Sequence, residues 1–489
     1  ICTDCHTTHY MLPEDDPKSS VNPKNVPATC ATCHKTIYDD YMASEHSIDH
    51  DKKDLKYPTC ADCHSAHVIS EIDENKFMTE ITLQCGSCHE YLAETYFDTY
   101  HGKAYLLGHN ETARCSDCHG AHNILNVNNP NSMVGIHNIV NTCQQCHPDA
   151  NQRFTGYLTH ATHNDKHKYP ALYYAFWGMT ILLISVFSFF GLHTLLWIPR
   201  SYVERRKNKE IKKTEGKIKY FRRFSLSQRI THLFVIVSFL LLVLTGMTLK
   251  FAYMDWAKVA ATMLGGVKVA GILHRIGAVV TFGYFGFHVI YLIRKKVMSK
   301  VSWSKFIFGT ESLMFNRQDL RDFWATMKWF VRMGPRPAYG RYTYWEKFDY
   351  FAVFWGVAVI GFSGLMLWFP EFFAKFFPGW FINIAQIIHS DEALLAAGFI
   401  FTIHFFNTHF RPEAFPMDTV IFTGHSPLEH YKHERPKEYE EMEKSGRLNE
   451  LVVEKEFSKW KMNVVKFFGF FFVATGFVLV VLIIYSLLS

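Results

Sequence analysis

Six times between residues 2 and 147 the chain repeats the pattern Cys-x-x-Cys-His, and few other features constrain a fold so tightly. The copies are CTDCH from Cys2, CATCH from Cys30, CADCH from Cys60, CGSCH from Cys85, CSDCH from Cys115 and CQQCH from Cys143. Two thiols three residues apart reach the two vinyl groups of one haem, and the histidine that follows falls beneath its iron. A lone Cys-x-x-Cys reads equally as half a zinc site or a redox dithiol. The adjacent histidine in every copy weighs against a zinc-ribbon array. The motifs use all twelve cysteines, so none remains for a disulfide, an iron–sulfur cluster or a nucleophile. The expected covalent attachment residues are Cys2, Cys5, Cys30, Cys33, Cys60, Cys63, Cys85, Cys88, Cys115, Cys118, Cys143 and Cys146. The expected proximal iron ligands are His6, His34, His64, His89, His119 and His147.

The motifs sit in an internal repeat. Cys30 to Cys60 spans the same distance as Cys85 to Cys115, and a histidine stands sixteen residues after each opening cysteine: His46 in YMASEH and His101 in YFDTYH. Each repeat closes on Cys-x-x-Cys-His-x-x-His, ending at His67 and His122. A third begins at Cys143, with His160 near the matching place. CTDCHTTH, ending at His9, resembles the closing half of an earlier repeat, which predicts a leader and at least one further motif upstream of Ile1. His9, His46, His67, His101, His122 and His160 are the expected distal ligands. A histidine three residues past the proximal one reaches a neighbouring haem more easily than the far face of its own. Solvated surface histidines are the plainer alternative for any one of them. His50, His109, His137, His163 and His167 are left over. Ligation by two histidines leaves no open position on the iron and suits electron transfer.

At 489 residues the chain is long enough for two or three units. Residues 1–168 hold every cysteine and no long apolar run, whereas the remainder is dominated by Phe, Leu, Val, Ile and Trp. A net charge of +6 makes no case for nucleic acid. Covalent haem attachment takes place outside the cytoplasm, so the N-terminal half is expected in the periplasm of a bacterial inner-membrane protein. Six segments, near 170–197, 227–250, 269–293, 348–369, 390–409 and 463–488, reach the ~20 residues a bilayer requires. The loop after the first carries eleven Lys/Arg against three Glu. That places it inside the cell, in agreement with an exported N-terminus. The loop PEFFAKFFPGWFINIAQII then lies outside, where its amphipathic character suits the membrane surface.

Histidines within spans are costly and mark function. His274 and His288 are fourteen residues apart in the third span, and His389 and His404 fifteen apart in the fifth. Either spacing is about four helical turns, roughly 21 Å, and returns to nearly the same face. Such a layout suits two stacked b haems. Depth pairs His274 with His389, and leaves His232 or His288 as the partner of His404. His193, in the first span, reads as interfacial.

RFSLSQRITHLFVIVSFLLLVLTGM, ILHRIGAVV and IHSDEALLAAGFIFTIHFF resemble the four-helix di-haem cytochrome b subunits of hydrogenases and formate dehydrogenases, over roughly residues 220–420. That resemblance implies His232, His274, His389 and His404 as haem b ligands, with a quinone beside the cytoplasmic haem. The chain departs from it in possessing His288 and in one extra residue between His389 and His404. As a whole the chain resembles fused multihaem c/b inner-membrane cytochromes that act as quinol oxidoreductases. The fold class expected is therefore all-α: a loop-rich multihaem cytochrome c domain (1–168), a first anchor (169–198), a basic cytoplasmic linker (199–224), a di-haem b membrane domain (225–435) and a cytoplasmic segment with a last span (436–489). Six haem c and two haem b are the expected cofactors. The function expected is respiratory electron transfer from quinol, menaquinol above all, to a periplasmic redox partner. Inward transfer from a periplasmic donor, or a purely conducting subunit of a larger complex, are the alternatives. His409, Arg411 and Glu413 are candidate quinone contacts, against the plainer reading of a charged rim after a span.

Overall fold

The computed structural model describes residues 2–49, 57–67, 82–207, 219–455 and 457–489. His50 and residues 208–218 of the basic linker lie outside the described residues. The chain forms two compact units, one of residues 1–170 with 366–384, the other of 171–365 with 385–489.

The N-terminal unit consists of short helices joined by hydrogen-bonded turns, because few of its residues are apolar enough to build a conventional core. Its two central repeats are held in the same way. Tyr41 donates its hydroxyl hydrogen to the Pro58 carbonyl at 3.1 Å, and Tyr96 does the same to Ala113 at 2.8 Å. Each bond ties the helix before His46 or His101 to the residue two places before a closing cysteine. The helices starting at Cys60 and Cys115 are begun alike, with Asp62 accepting from the Thr59 amide and Asp117 from that of Arg114, both at 2.7 Å. Such carboxylates satisfy amide groups that a helix start leaves unpaired. After His101 the chain turns back so tightly that a Cβ at Gly102 would collide with the Tyr96 carbonyl.

A second internal likeness relates residues 12–29 to 125–142. Asn25 donates to the carbonyls of Pro17 and Ser19, and Asn138 to those of Pro130 and Ser132. Ser19 and Ser132 reach Leu12 and Leu125, while Thr29 and Thr142 reach Ser20 and Met133. These side chains replace the backbone pairing that the loops lack.

The segment expected to rest on the membrane surface packs within the N-terminal unit instead. Ala374 and Ile382 are buried with Ala150 and Phe154. Asn383 accepts from the Leu158 amide and donates to its carbonyl, both at 3.0 Å. Phe369, Phe372 and Phe376 remain exposed.

Among the described residues six helices are long and apolar enough to cross a membrane: Pro170–Glu204, Leu226–Lys250, Val267–Met298, Tyr344–Trp368, Trp380–Phe410 and Lys459–Leu488. The chain is thus consistent with a multi-pass membrane protein. Large apolar side chains along these helices, among them Ile181, Leu195, Ile290, Phe467 and Phe471, face outward, as lipid-exposed residues do. The capping box of Ser225 and Gln228 starts the second span. The fifth departs from an ordinary helix, widening into π turns over Ile400–His404 and Phe406–Phe410.

The expectation of an all-α chain is corrected by a small antiparallel sheet in the order β2-β1-β3: β1 Lys219–Arg222, β2 His425–Pro427 and β3 Val452–Glu454. Phe221 of β1 pairs with Ser426 and with Val452, and its ring stacks on Tyr431 at 4.0 Å. The strands are only three or four residues long and come from distant parts of the sequence, which hides them from periodicity.

Candidate functional site

In the N-terminal unit the motifs form a row in which each lies near the next. The thiols of Cys30 and Cys60 hydrogen-bond, as do those of Cys85 and Cys115. Cys5 lies close to Cys30, Cys63 to Cys85 and Cys88, and Cys118 to Cys143 and Cys146. All twelve are free thiols. Burial and the nearby Cys60 push Cys30 up to about 11, and the hydrogen bond from Cys115 draws Cys85 down to about 7.

The histidines come together in pairs drawn from different motifs. His6 faces His67 at 6.2 Å between ring centres, His46 faces His89 at 6.1 Å, and His64 faces His122 at 6.0 Å. His101 and His147 are 6.2 Å apart, and His119 and His160 6.3 Å. The first three pairs are stacked, within 25° of parallel, and the last two are tilted by 50° and 37°. Of the expected distal histidines, His9 stands apart: it is exposed and contacts Thr8 Oγ1 at 3.3 Å. Among the expected proximal ones, His34 makes no such pair among the described residues. Burial first, and then the facing or neighbouring histidines, draw His46, His64, His101 and His119 below the ordinary imidazole range; burial does the same to His160. Neutral rings, with a free lone pair, are the form that ligates a metal.

Two of these rings are oriented by partners that sequence reasoning missed. His147 Nδ1 lies 2.6 Å from Glu371 Oε1, and His160 Nδ1 lies 3.2 Å from Thr95 Oγ1 and 3.1 Å from the Leu92 carbonyl. Glu371 is far away in sequence, and nothing in its local pattern marks it.

In the membrane unit His274 and His389 are 6.2 Å apart. The Nδ1 of His274 is tied to Thr245 Oγ1 at 2.8 Å, and that of His389 to the Ile360 carbonyl at 3.0 Å, which leaves Nε2 as the available nitrogen of each. Gly246 and Gly364 make room for the rings: a Cβ would stand 3.3 Å from His274 Cε1 and 2.9 Å from His389 Cε1. His404 is oriented by Asp349 at 2.9 Å. His232 and His409 lie near it, each with an Nδ1 that has no hydrogen-bond partner among the described residues. His288 is bonded to the Tyr350 hydroxyl at 2.7 Å, so of the two alternatives it is His232 that lies near His404. His193 is buried rather than interfacial and meets the Tyr344 hydroxyl at 2.5 Å.

Arg411 and Glu413 are not an open rim. Arg411 stacks over Trp197 and Trp345, at 4.5 and 5.5 Å, and pairs with Glu434 at 3.8 Å. Glu413 accepts from Ser201 at 2.9 Å. Burial pushes Glu434 up, yet Arg411, His430, Arg435 and Arg336 together hold it well below the usual carboxylate range.

Among the described residues no group of three or more His, Cys, Asp or Glu side chains gathers to hold a metal ion. The expected metal-binding core is corrected accordingly, and the full complement of six haem c and two haem b, with the quinol oxidoreductase built upon it, is not borne out. The described residues offer donor pairs instead, five in the N-terminal unit and one in the membrane unit. No family model matches the chain, and no curated protein matches it. The resemblance to cytochrome b subunits and to fused c/b cytochromes is therefore not carried into an assignment.

Proposed function

We propose that the imidazole pairs are axial-ligand pairs and that the chain serves transmembrane electron transfer. One observation carries this: six pairs of rings share a separation of 6.0–6.3 Å. Two metal–nitrogen bonds of about 2 Å, with the offset from nitrogen to ring centre at both ends, add to about 6 Å. An iron already held by the four nitrogens of a haem takes only two protein ligands, so a pair is the whole contribution asked of the chain. In five of the pairs one ring directly follows a Cys-x-x-Cys, which supplies the thiols for covalent attachment.

When bound, such a group supplies reversible one-electron exchange. The chain's own residues fix its ligands and environment. Glu371, Thr95, Thr245 and the Ile360 carbonyl set which nitrogen is offered. The closely spaced motifs of the N-terminal unit favour short steps from one site to the next. A periplasmic redox protein and a lipid-dissolved quinone are the partners that fit, with the N-terminal unit in the periplasm of a bacterial inner membrane. Each of the three candidate quinone contacts keeps one buried polar atom without a hydrogen-bond partner among the described residues, His409 Nδ1, Arg411 Nε and Glu413 Oε2, although Arg411 and Glu413 also engage Glu434 and Ser201.

The test is a haem assay on the purified membrane protein. Covalently bound haem with low-spin, two-imidazole resonances is the expected result. Protein that matures in a haem-attaching host yet carries no covalent haem would sink the reading.

A further inference from the structure

The fold brings thiols of different motifs together as regularly as it brings rings together. Cys30 and Cys60 stand thirty residues apart, as do Cys85 and Cys115. In each repeat the first cysteine of the opening motif hydrogen-bonds the first cysteine of the closing motif. All four are half-buried, whereas Cys33, Cys63 and Cys88, the second cysteines of their motifs, are exposed. One frame holds both pairs: the Tyr41 hydroxyl on the Pro58 carbonyl and the Tyr96 hydroxyl on the Ala113 carbonyl each fix the chain two places before the closing cysteine. The arrangement therefore occurs twice, on separate stretches of sequence. Cys63 also lies near Cys85, and Cys118 near Cys143, but no thiol–thiol hydrogen bond joins them among the described residues.

We propose that, while its motifs carry no haem, the chain takes up disulfides between Cys30 and Cys60 and between Cys85 and Cys115, in preference to any bond within a Cys-x-x-Cys. Thiols that the fold already holds in hydrogen-bond contact need little further approach to join, and an oxidising compartment supplies the reaction. The oxidant is itself a disulfide, of a protein or of a small thiol. One cysteine attacks it as the thiolate to give a mixed disulfide, and the facing cysteine then displaces it. One S–S bond forms and one breaks, and two electrons and both protons leave on the oxidant as a pair of thiols. A sulfur held in this way cannot add to a haem vinyl group. Attachment at these four motifs must then be preceded by a thiol–disulfide reduction. That consequence rests on the axial-ligand reading above, whereas the pairing of the thiols does not.

The experiment uses the full chain, made in a host without haem-attaching machinery, purified reduced in lipid nanodiscs and then treated with limiting oxidised glutathione. Remaining thiols are alkylated, and the cross-linked peptides are mapped by mass spectrometry without reduction. Four of the twelve thiols are expected to be lost to alkylation, with Cys30–Cys60 and Cys85–Cys115 as the dominant cross-links. In an unfolded chain short loops close most readily, so the same oxidation in guanidinium chloride is expected to give the bonds within motifs instead. Cys60→Ser should abolish the first cross-link and leave Cys85–Cys115 unchanged. Dominant Cys30–Cys33 and Cys85–Cys88 bonds, dominant Cys63–Cys85 or Cys118–Cys143 bonds, or a map that is the same with and without guanidinium overturns the proposal. The map is read on a chain without haem, so its failure is distinct from a failure of the haem assay, which strikes the axial-ligand reading.

Discussion

The rings of His6 and His67 lie 6.2 Å apart and within 7° of parallel, although each belongs to a different Cys-x-x-Cys-His motif. The nearer histidine of the His67 motif, His64, is paired elsewhere, with His122. Neighbouring motifs are thereby interlocked: the closing motifs at Cys60 and Cys115 each supply one ring to a pair of their own and one to the pair of the closing motif before.

Interlocking predicts that His67→Ala alters the site at Cys2 and leaves the site at Cys60 intact. Magnetic resonance of the variant is expected to show one iron turned high-spin while the covalent haem count holds. Loss of the Cys60 site instead would mean that His67 serves its own motif.

In the membrane unit His274→Ala and His389→Ala are each expected to lose the same single non-covalent haem, measured by extractable haem per chain. His288→Ala should retain it, because its ring is bonded to Tyr350 and stands away from the pair.

Glu371 accepts a short hydrogen bond from His147, and the carboxylate strengthens that imidazole as an electron donor. Glu371→Gln removes the charge and is expected to raise one reduction potential. A loss of about 1.4 kcal/mol corresponds to about 60 mV for one electron. Redox titration of the wild type and the variant checks the shift, and an unchanged set of potentials would show the contact to be only structural.

Acid should loosen the N-terminal unit. His46, His64, His101, His119 and His160 have folded-state values depressed below that of an unfolded chain. Between the folded and unfolded values the unfolded chain binds more protons, so stability is fully present above about pH 6.5 and falls as the pH drops below it. Thermal melts from pH 7.5 to 5 are expected to show a falling midpoint.

Tyr96→Phe removes the hydroxyl that ties its helix to Ala113 and leaves the half-buried Ala113 carbonyl short of a partner. The expected cost is about 1–3 kcal/mol. Tyr41→Phe should cost a similar amount, since it breaks the equivalent bond. Chemical denaturation of each variant measures both.

The spans and the paired depths of His274 and His389 were legible because a bilayer imposes a length and penalises a polar ring in any sequence that crosses it. The one extra residue between His389 and His404 was legible only as an irregularity. Tertiary structure shows the fifth span widening into π turns at that point, where more residues are taken up per turn and the ring spacing is reset. Arg411 and Glu413 looked like a solvated rim, since a charge after a span ordinarily meets water. Their burial follows from Trp197, Trp345, Ser201 and Glu434, all remote in sequence.

By itself, then, the sequence determined the Cys-x-x-Cys-His motifs, their repeat and the six apolar segments, because each is a local pattern of spacing or composition. Tertiary structure alone decided which histidine faces which, that Glu371 orients His147, and that β1, β2 and β3 meet in a sheet. Those are contacts between distant residues, fixed by how the chain closes on itself, and no local period encodes them.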